Sequence, residues 1–409
     1  MRILIAGENA SARKGGEAIL PLIYAKRLQA RGHDVVLITH ARNRDEISTD
    51  YPNLAPVTHY IEDARAHRVL WAFGERFPDG LRDRLFGNLI GILTAWDMRR
   101  IARRLVAQHA FDLVHQPIPV SPATPSPLYG LGVPVVIGPM NGGMSYPPGF
   151  DAREGRASRV FLKLGRMTAR LANRLWPGKR KAALLMVANE RTRRALPLDH
   201  PNILTIPENG VDLSIWVPPP PHSGPSKRQG FRMVFMGRMI ALKGLDLTMQ
   251  ALEITRARRP DLNITLDILG DGPERAWIEA RNLPGVYVHG FLTQPECAAR
   301  LTGADVLILN SLRECGGAVI LEAMALGVPV IASDWGGPAD YVTPATGVLV
   351  HPAPADSFAD RLANAIVHLA EHPDLAQRMG QAGQDLIHAE YDWEKRITRM
   401  EQIYQSVLT

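Results

Sequence analysis

Glu314-Cys315-Gly316-Gly317-Ala318-Val319-Ile320-Leu321-Glu322-Ala323-Met324-Ala325-Leu326-Gly327-Val328-Pro329-Val330-Ile331 begins a few residues after the apolar run Val306–Leu309 and ends inside a second one, Val328–Ala332. Short uninterrupted apolar runs on either side of a helical pattern read as neighbouring strands of a buried parallel sheet. The loop after the first strand carries Glu314, two glycines open the helix, and the helix carries Glu322. Gly316 and Gly317 allow a close backbone approach to a ligand, and the helix start at Ala318 offers free N–H groups to an anion such as phosphate.

The same alternation extends upstream. Runs at Met233–Met236 and Ile264–Leu269 read as strands. The first is followed by Gly237-Arg238 and then by Lys243-Gly244 ahead of a helix. Two cations around one turn at a strand's carboxyl end suit a diphosphate, which needs both charge and hydrogen bonds. The second is followed by the tight turn Gly270-Asp271-Gly272-Pro273. The first half opens with Ile3–Ala6, then a glycine-containing loop, a helical pattern from Glu17 to Arg31, and the run Val35–Thr39. Further strands are expected at Phe111–His115, Val133–Ile137 and Leu184–Ala188. Residues 217–230 form a proline-rich connector in the boundary region. The expectation is an α/β protein of two doubly wound Rossmann-like domains, 1–205 and 206–385, with ligands beyond the carboxyl ends of their strands.

Together these residues resemble the second domain of the retaining glycosyltransferases of family four, which have the GT-B fold. The glutamate pair Glu314 and Glu322, Arg238 with Lys243-Gly244, the Gly-Asp-Gly-Pro turn and the junction Asn209-Gly210-Val211-Asp212 stand in the family's order. The resemblance implies two domains facing each other across a cleft, with Tyr391-Asp392-Trp393 leading a terminal helix (386–409) back to the first domain. It implies a hexose carried by UDP or GDP as donor substrate, with no cofactor. Arg238 and Lys243, beside Gly237, would hold the diphosphate; Glu314 would meet the transferred sugar and Glu322 the ribose. Gly270, Asp271, Gly316, Gly317 and Ala318 complete the donor-side set. Gly15-Gly16 matches the family's glycine loop and would close over the diphosphate. The chain departs from the pattern in two places. Gly138-Pro139-Met140-Asn141-Gly142-Gly143 stands where relatives often place a histidine, and Gly316 stands where they usually place Phe. Asn141 and His115 are the acceptor-side candidates. His115 resembles the first histidine of a His-x-His element, but reads first as a satisfied structural histidine.

No Asp-x-Asp pair occurs in the chain, so no metal is expected, and the cation pair would stabilise the leaving diphosphate instead. A silent homologue acting as a membrane-associated assembly partner is disfavoured by the complete cation and glutamate set. A nicotinamide-dependent oxidoreductase is disfavoured because Gly7-Glu8-Asn9-Ala10-Ser11-Ala12 lacks GxGxxG.

Composition sets the surroundings. Two cysteines, Cys297 and Cys315, form no CxxC pair and suit a reducing cytoplasm. The opening Met1–Glu8 turns polar too soon for a signal peptide, and no apolar run reaches the length of a spanning helix. Residues 1–205 carry a net charge of +13 and residues 206–409 one of −7. The basic half is expected to face something anionic. Nucleic acid is not expected. The segment Arg153–Arg194, with Phe161, Leu164, Leu171 and Leu175 at helical spacing among many cations, predicts docking on the inner face of an anionic membrane. The acceptor would then be a glycan precursor or a lipid-linked sugar.

Overall fold

The computed structural model describes residues 1–14, 16–77, 79–153, 156–218 and 230–409; the predicted connector lies largely outside them. The chain forms two compact units. One holds Met1–Gly143, Phe161–Glu208 and Ile397–Thr409; the other holds Met144–Val160 and Asn209–Arg396.

The first unit carries β1 Arg2–Ala6, β2 Asp34–His40, β3 Thr58–Ile61, β4 Leu113–Gln116, β5 Val135–Met140, β6 Leu184–Val187 and β7 Ile203–Thr205. They form one parallel sheet in the order β3-β2-β1-β4-β5-β6-β7. Ile3, Leu4 and Ile5 are all fully buried, so both faces of β1 are covered. That is why the strand reads as a continuous apolar run rather than an alternating one. The winding reverses between β1 and β4, which places the loops after those two strands at a topological switch point.

The second unit carries β8 Phe231–Met236, β9 Ile264–Leu269, β10 Val286–Gly290, β11 Val306–Leu309, β12 Val330–Ser333 and β13 Gly347–Val350. These are also parallel, in the order β10-β9-β8-β11-β12-β13. Here the reversal lies between β8 and β11. The Arg238–Lys243 loop follows one of these strands and the Glu314 loop follows the other.

Two boundaries differ from the sequence reading. Met144–Val160, expected in the first domain, belongs to the second unit because Phe150 is buried in that unit's core and Arg153 pairs with Asp246. The returning segment expected over 386–409 divides within the last helix, Trp393–Leu408, and its residues up to Arg396 belong to the second unit. An added Cβ at Gly210 would lie 2.8 Å from the Trp393 ring, and Val211 bridges Asp392. From Ile397 onward the helix belongs to the first unit.

Candidate active site

The site in the second unit is built from the turns that follow its central strands. After β8 the chain turns at Gly237. An added Cβ at Gly270 would lie 2.0 Å from the Gly237 carbonyl oxygen, so the turns after β8 and β9 press backbone on backbone. Gly270, at φ +140°, has no substitute there. Asp271 uses its carboxylate on its own turn, accepting from the Gly272 amide at 2.7 Å and facing Arg275 at 3.2 Å. Arg238 is exposed and makes no side-chain hydrogen bond or ion pair among the described residues.

A short turn, Ala241–Lys243, leads through left-handed Gly244 into the helix Leu245–Arg258. The Lys243 ammonium is ion-paired with the Glu314 carboxylate; the two side chains are 15 and 18% exposed, shielded but open to a ligand. Three residues that the sequence reading passed over hold this arrangement. Asn310, fully buried, donates from Nδ2 to the Gly244 carbonyl at 2.7 Å and accepts from Thr248 Oγ1 at 2.6 Å. The Ser333 hydroxyl donates to the Ser311 carbonyl at 2.6 Å. The Leu312 amide donates to the Leu242 carbonyl at 2.8 Å, joining the two loops directly. The signal was present as Asn310-Ser311 directly after the apolar run of β11. Buried polar groups at a strand's carboxyl end must find partners, and here those partners are the neighbouring loop.

The Glu314 loop ends at Gly317, φ +105°, which precedes the helix Ala318–Ala325 without any side-chain cap. The first-turn N–H groups from Ala318 onward therefore lack a side-chain acceptor. Gly316 packs under the next turn, since a Cβ at Gly337 would lie 2.0 Å from its carbonyl oxygen. Glu322 sits on this helix, partly buried, with no side-chain hydrogen bond among the described residues, and burial pushes its carboxyl up to about 7.

The first unit treats its candidates differently. Gly15 lies outside the described residues; Gly16, at φ +58°, starts the turn Gly16–Ile19. Glu17 of that turn accepts from the Val120 amide at 2.8 Å. His115 is fully buried on β4. Its Nε2 donates to the Gly138 carbonyl at 2.7 Å, and its Nδ1 accepts from the Tyr404 hydroxyl at 2.7 Å. Both nitrogens are thus engaged, and burial lowers its pKa to about 4. Asn141 is buried too, donating to Glu208 Oε1 at 2.6 Å and accepting from Thr192 Oγ1 at 3.3 Å. Neither acceptor-side candidate lies on an open surface.

Residues 230–372, which contain every donor-side candidate of the second unit, match the family model described as glycosyl transferases group 1. The chain is 31% identical over 224 residues to a GDP-mannose-dependent monoacylated alpha-(1-6)-phosphatidylinositol monomannoside mannosyltransferase of Corynebacterium glutamicum, covering 51% of this chain and 57% of that one. It is 32% identical over 209 residues to a glycogen synthase of Mycobacterium tuberculosis, covering 49% and 48%. The alignments thus span about half the length of these curated relatives. Among solved structures, Anabaena Alr3699/HepE in complex with UDP and glucose superposes with a TM-score of 0.65 at 16% identity, over 99% of this chain and 100% of that one. WaaG, a glycosyltransferase involved in lipopolysaccharide biosynthesis, does so with a TM-score of 0.60 at 16% identity, over 97% and 98%. These likenesses extend the two-domain fold over nearly the whole chain. Residues 230–372 thus resemble the glycosyl transferases group 1 family, and the chain has the GT-B fold.

Proposed function

We propose that this protein transfers a hexose from a uridine or guanosine diphosphate sugar to a glycan or lipid-linked acceptor, with retention of anomeric configuration and without a metal ion. The observation that carries the reading is the Lys243–Glu314 pair at the β8/β11 switch point, ahead of an uncapped helix N-terminus and close to exposed Arg238. An entering diphosphate competes with Glu314 for the Lys243 ammonium, and Arg238 supplies a second cation. Charge that develops on the leaving diphosphate meets donors already in place, where such groups are most effective. Glu314, released from its lysine, is left to accept hydrogen bonds from hydroxyls of the transferred sugar. Glu322 receives the ribose hydroxyls. Attack on the same face, with a donor phosphate oxygen taking the acceptor's proton, completes transfer with retention. The similarity to a GDP-mannose-dependent mannosyltransferase and to a glycogen synthase supports a nucleotide sugar and a glycan or glycolipid acceptor.

Thermal-shift titration with UDP, GDP and their hexose conjugates in excess EDTA tests this reading. A ligand at a hundred times its Kd stabilises by roughly 2.7 kcal/mol, so at least one of them raises the melting temperature. No shift with any of them overturns the donor assignment. A shift that needs added magnesium or manganese overturns the metal-free part.

The protein acts, on this proposal, in the cytoplasm as a peripheral protein on the inner face of the membrane. Support comes from the helix Arg156–Leu175, whose Met167, Leu171 and Leu175 are 70, 59 and 62% exposed at four-residue spacing, beside exposed Arg170 and Arg174. A second exposed apolar set lies on the helices Arg65–Gly74 and Asp79–Gln108, including Trp71, Phe73, Leu89 and Trp96, near Arg99, Arg100, Arg103 and Arg104. Apolar rings and arginines together suit an anionic bilayer. Several cations of the expected segment are engaged within the protein: Arg153 pairs with Asp246, Lys179 is buried against the Ser121 and Pro122 carbonyls, Arg191 donates to the Gly142 carbonyl, and Arg194 pairs with Glu190. The side chains of Phe161 and Leu164 lie outside the described set. Co-sedimentation with anionic but not neutral vesicles, lost in Leu171→Glu/Leu175→Glu, is the expected result. Protein that stays in the supernatant with anionic vesicles at low salt rules docking out.

A further inference from the structure

Met144–Arg153 lies between β5 and the helix Arg156–Leu175 in the chain, yet it packs in the second unit. It leaves the first unit at Gly143, two residues beyond Asn141, and then runs along the loops that carry Lys243 and Glu314. At its start, Met144 is pressed against the turn beside the Glu314 loop. A Cβ at Gly336 would meet the Met144 methyl at 2.3 Å and the Glu314 carbonyl oxygen at 2.6 Å, so a glycine there lets both approach. The Ser145 carbonyl accepts from Trp335 Nε1 at 2.9 Å, and the Tyr146 ring lies under the guanidinium of Arg313, the residue before Glu314. In its middle, buried Phe150 meets Phe358 edge to face at 6.0 Å. At its end, Arg153 forms a two-pronged ion pair with Asp246 at 2.9 and 2.5 Å and reaches the Ala241 carbonyl at 3.4 Å. Asp246 and Ala241 flank Lys243 on either side. The Arg153 guanidinium also faces Glu274, whose carboxyl is raised by burial and by Asp246 and held down by Arg153.

We propose that Met144–Arg153 is a positioning strap for the donor site, with Met144 fixing the Glu314 loop and Arg153 fixing the Lys243 loop. The strap joins at both ends what the Lys243–Glu314 pair joins in the middle. A diphosphate that displaces Glu314 from Lys243 removes that central tie. The strap then keeps both loops in register while ligand is bound. Arg153 touches neither the lysine nor the glutamate in the arrangement above, so it acts through the loop and is a positioning residue. Without it, Asp246 and Glu274 are left as neighbouring carboxylates with no cation between them, and the start of the helix Leu245–Arg258 shifts away from its register with Lys243.

The proposal rests on the nucleotide-sugar reading, and isothermal titration of the full chain with UDP and with GDP separates the two. If the wild type binds neither nucleotide, that reading fails. If it binds one, Arg153→Met is expected to raise the Kd about tenfold, because the binding-competent arrangement is populated only a fraction of the time. Arg153→Lys, which keeps one charged donor, is expected to recover part of that loss. Met144→Ala, at the opposite end, is expected to weaken the same ligand in the same direction, and provides the test on its own should Arg153→Met not fold. Melting temperatures of the ligand-free variants near wild type separate positioning from general destabilisation. Unchanged affinity in the folded variants overturns the strap. So does a loss of affinity that only tracks a fall in melting temperature.

Discussion

The two units share one architecture and treat the polar residues that the sequence marks out in opposite ways. In the first, His115, Asn141 and Lys179 are buried with their hydrogen-bonding groups engaged by neighbours of the same unit. In the second, Arg238 is uncommitted, Glu322 is held in a site that disfavours its charge, and Lys243 and Glu314 are engaged chiefly with each other. A closed network of buried polar groups makes loops rigid and specific, whereas charged groups without fixed partners keep their interactions for a ligand. Proximity to a strand's carboxyl end therefore does not identify a functional residue. What separates the two sets is whether the protein has already satisfied the side chain.

The sharpest way to break this comparison is to remove one residue of each kind. Lys243→Ala or Arg238→Ala is expected to lower turnover by about 10²-fold; stability changes by roughly 1 kcal/mol or less for exposed Arg238, and by somewhat more for Lys243, whose loss leaves the shielded Glu314 carboxylate without its cation. His115→Leu is expected to do the reverse. It leaves the Gly138 carbonyl and the Tyr404 hydroxyl unsatisfied, at roughly 1–3 kcal/mol for each group left without a partner, while the folded fraction keeps turnover within about twofold of wild type. Initial rates and chemical denaturation on the same preparations check both. If Lys243→Ala unfolds as readily as His115→Leu while its folded fraction turns over normally, the distinction between the units collapses.

How far this was legible in the sequence follows from burial. Nine strands were read from their apolar runs, and the four left out, β3, β7, β10 and β13, are the edge strands of the two sheets. Thr58-His59-Tyr60-Ile61 and Val286-Tyr287-Val288-His289 alternate or expose side chains because one side of an edge strand has no neighbour to be buried against. The donor-side candidates carry a local mark, charge or glycine at strand ends and at the helix start that follows. The Met144–Arg153 strap carries no such mark, and Asn310 shows only its place directly after an apolar run, not its partners. Asn310 acts through two contacts of long sequence separation, and the strap has no periodicity to mark it. His115 shows the same limit from the other side. Its partner, Tyr404, stands at the far end of the chain, and nothing local distinguishes a histidine so satisfied from one that waits for a ligand.

Glu322 gives the smallest effect expected here and the most discriminating one, because its two roles have different pH signatures. Burial raises its carboxyl from the ordinary 4.5 to about 7 in the folded protein. Between those values the native state holds a proton that the unfolded chain has released, so stability attributable to this group falls as pH rises through that window and stays low above it. Glu322→Gln removes the titration. The variant is therefore expected to melt higher than wild type at pH 8, with the gap closing towards pH 5, where the native glutamate is neutral. Nucleotide binding runs the other way. If the carboxylate accepts from the ribose hydroxyls, affinity in the wild type rises as pH rises through 7. The glutamine variant then binds about tenfold more weakly at pH 8, the scale of a hydrogen bond to a charged group, with no dependence in that range. Melting curves and titrations with UDP and GDP at pH 5, 6, 7 and 8 resolve both. Parallel melting curves for wild type and variant would show that Glu322 is not held in a charge-disfavouring site. A glutamine variant that binds as tightly as wild type at pH 8 would remove Glu322 from the donor site.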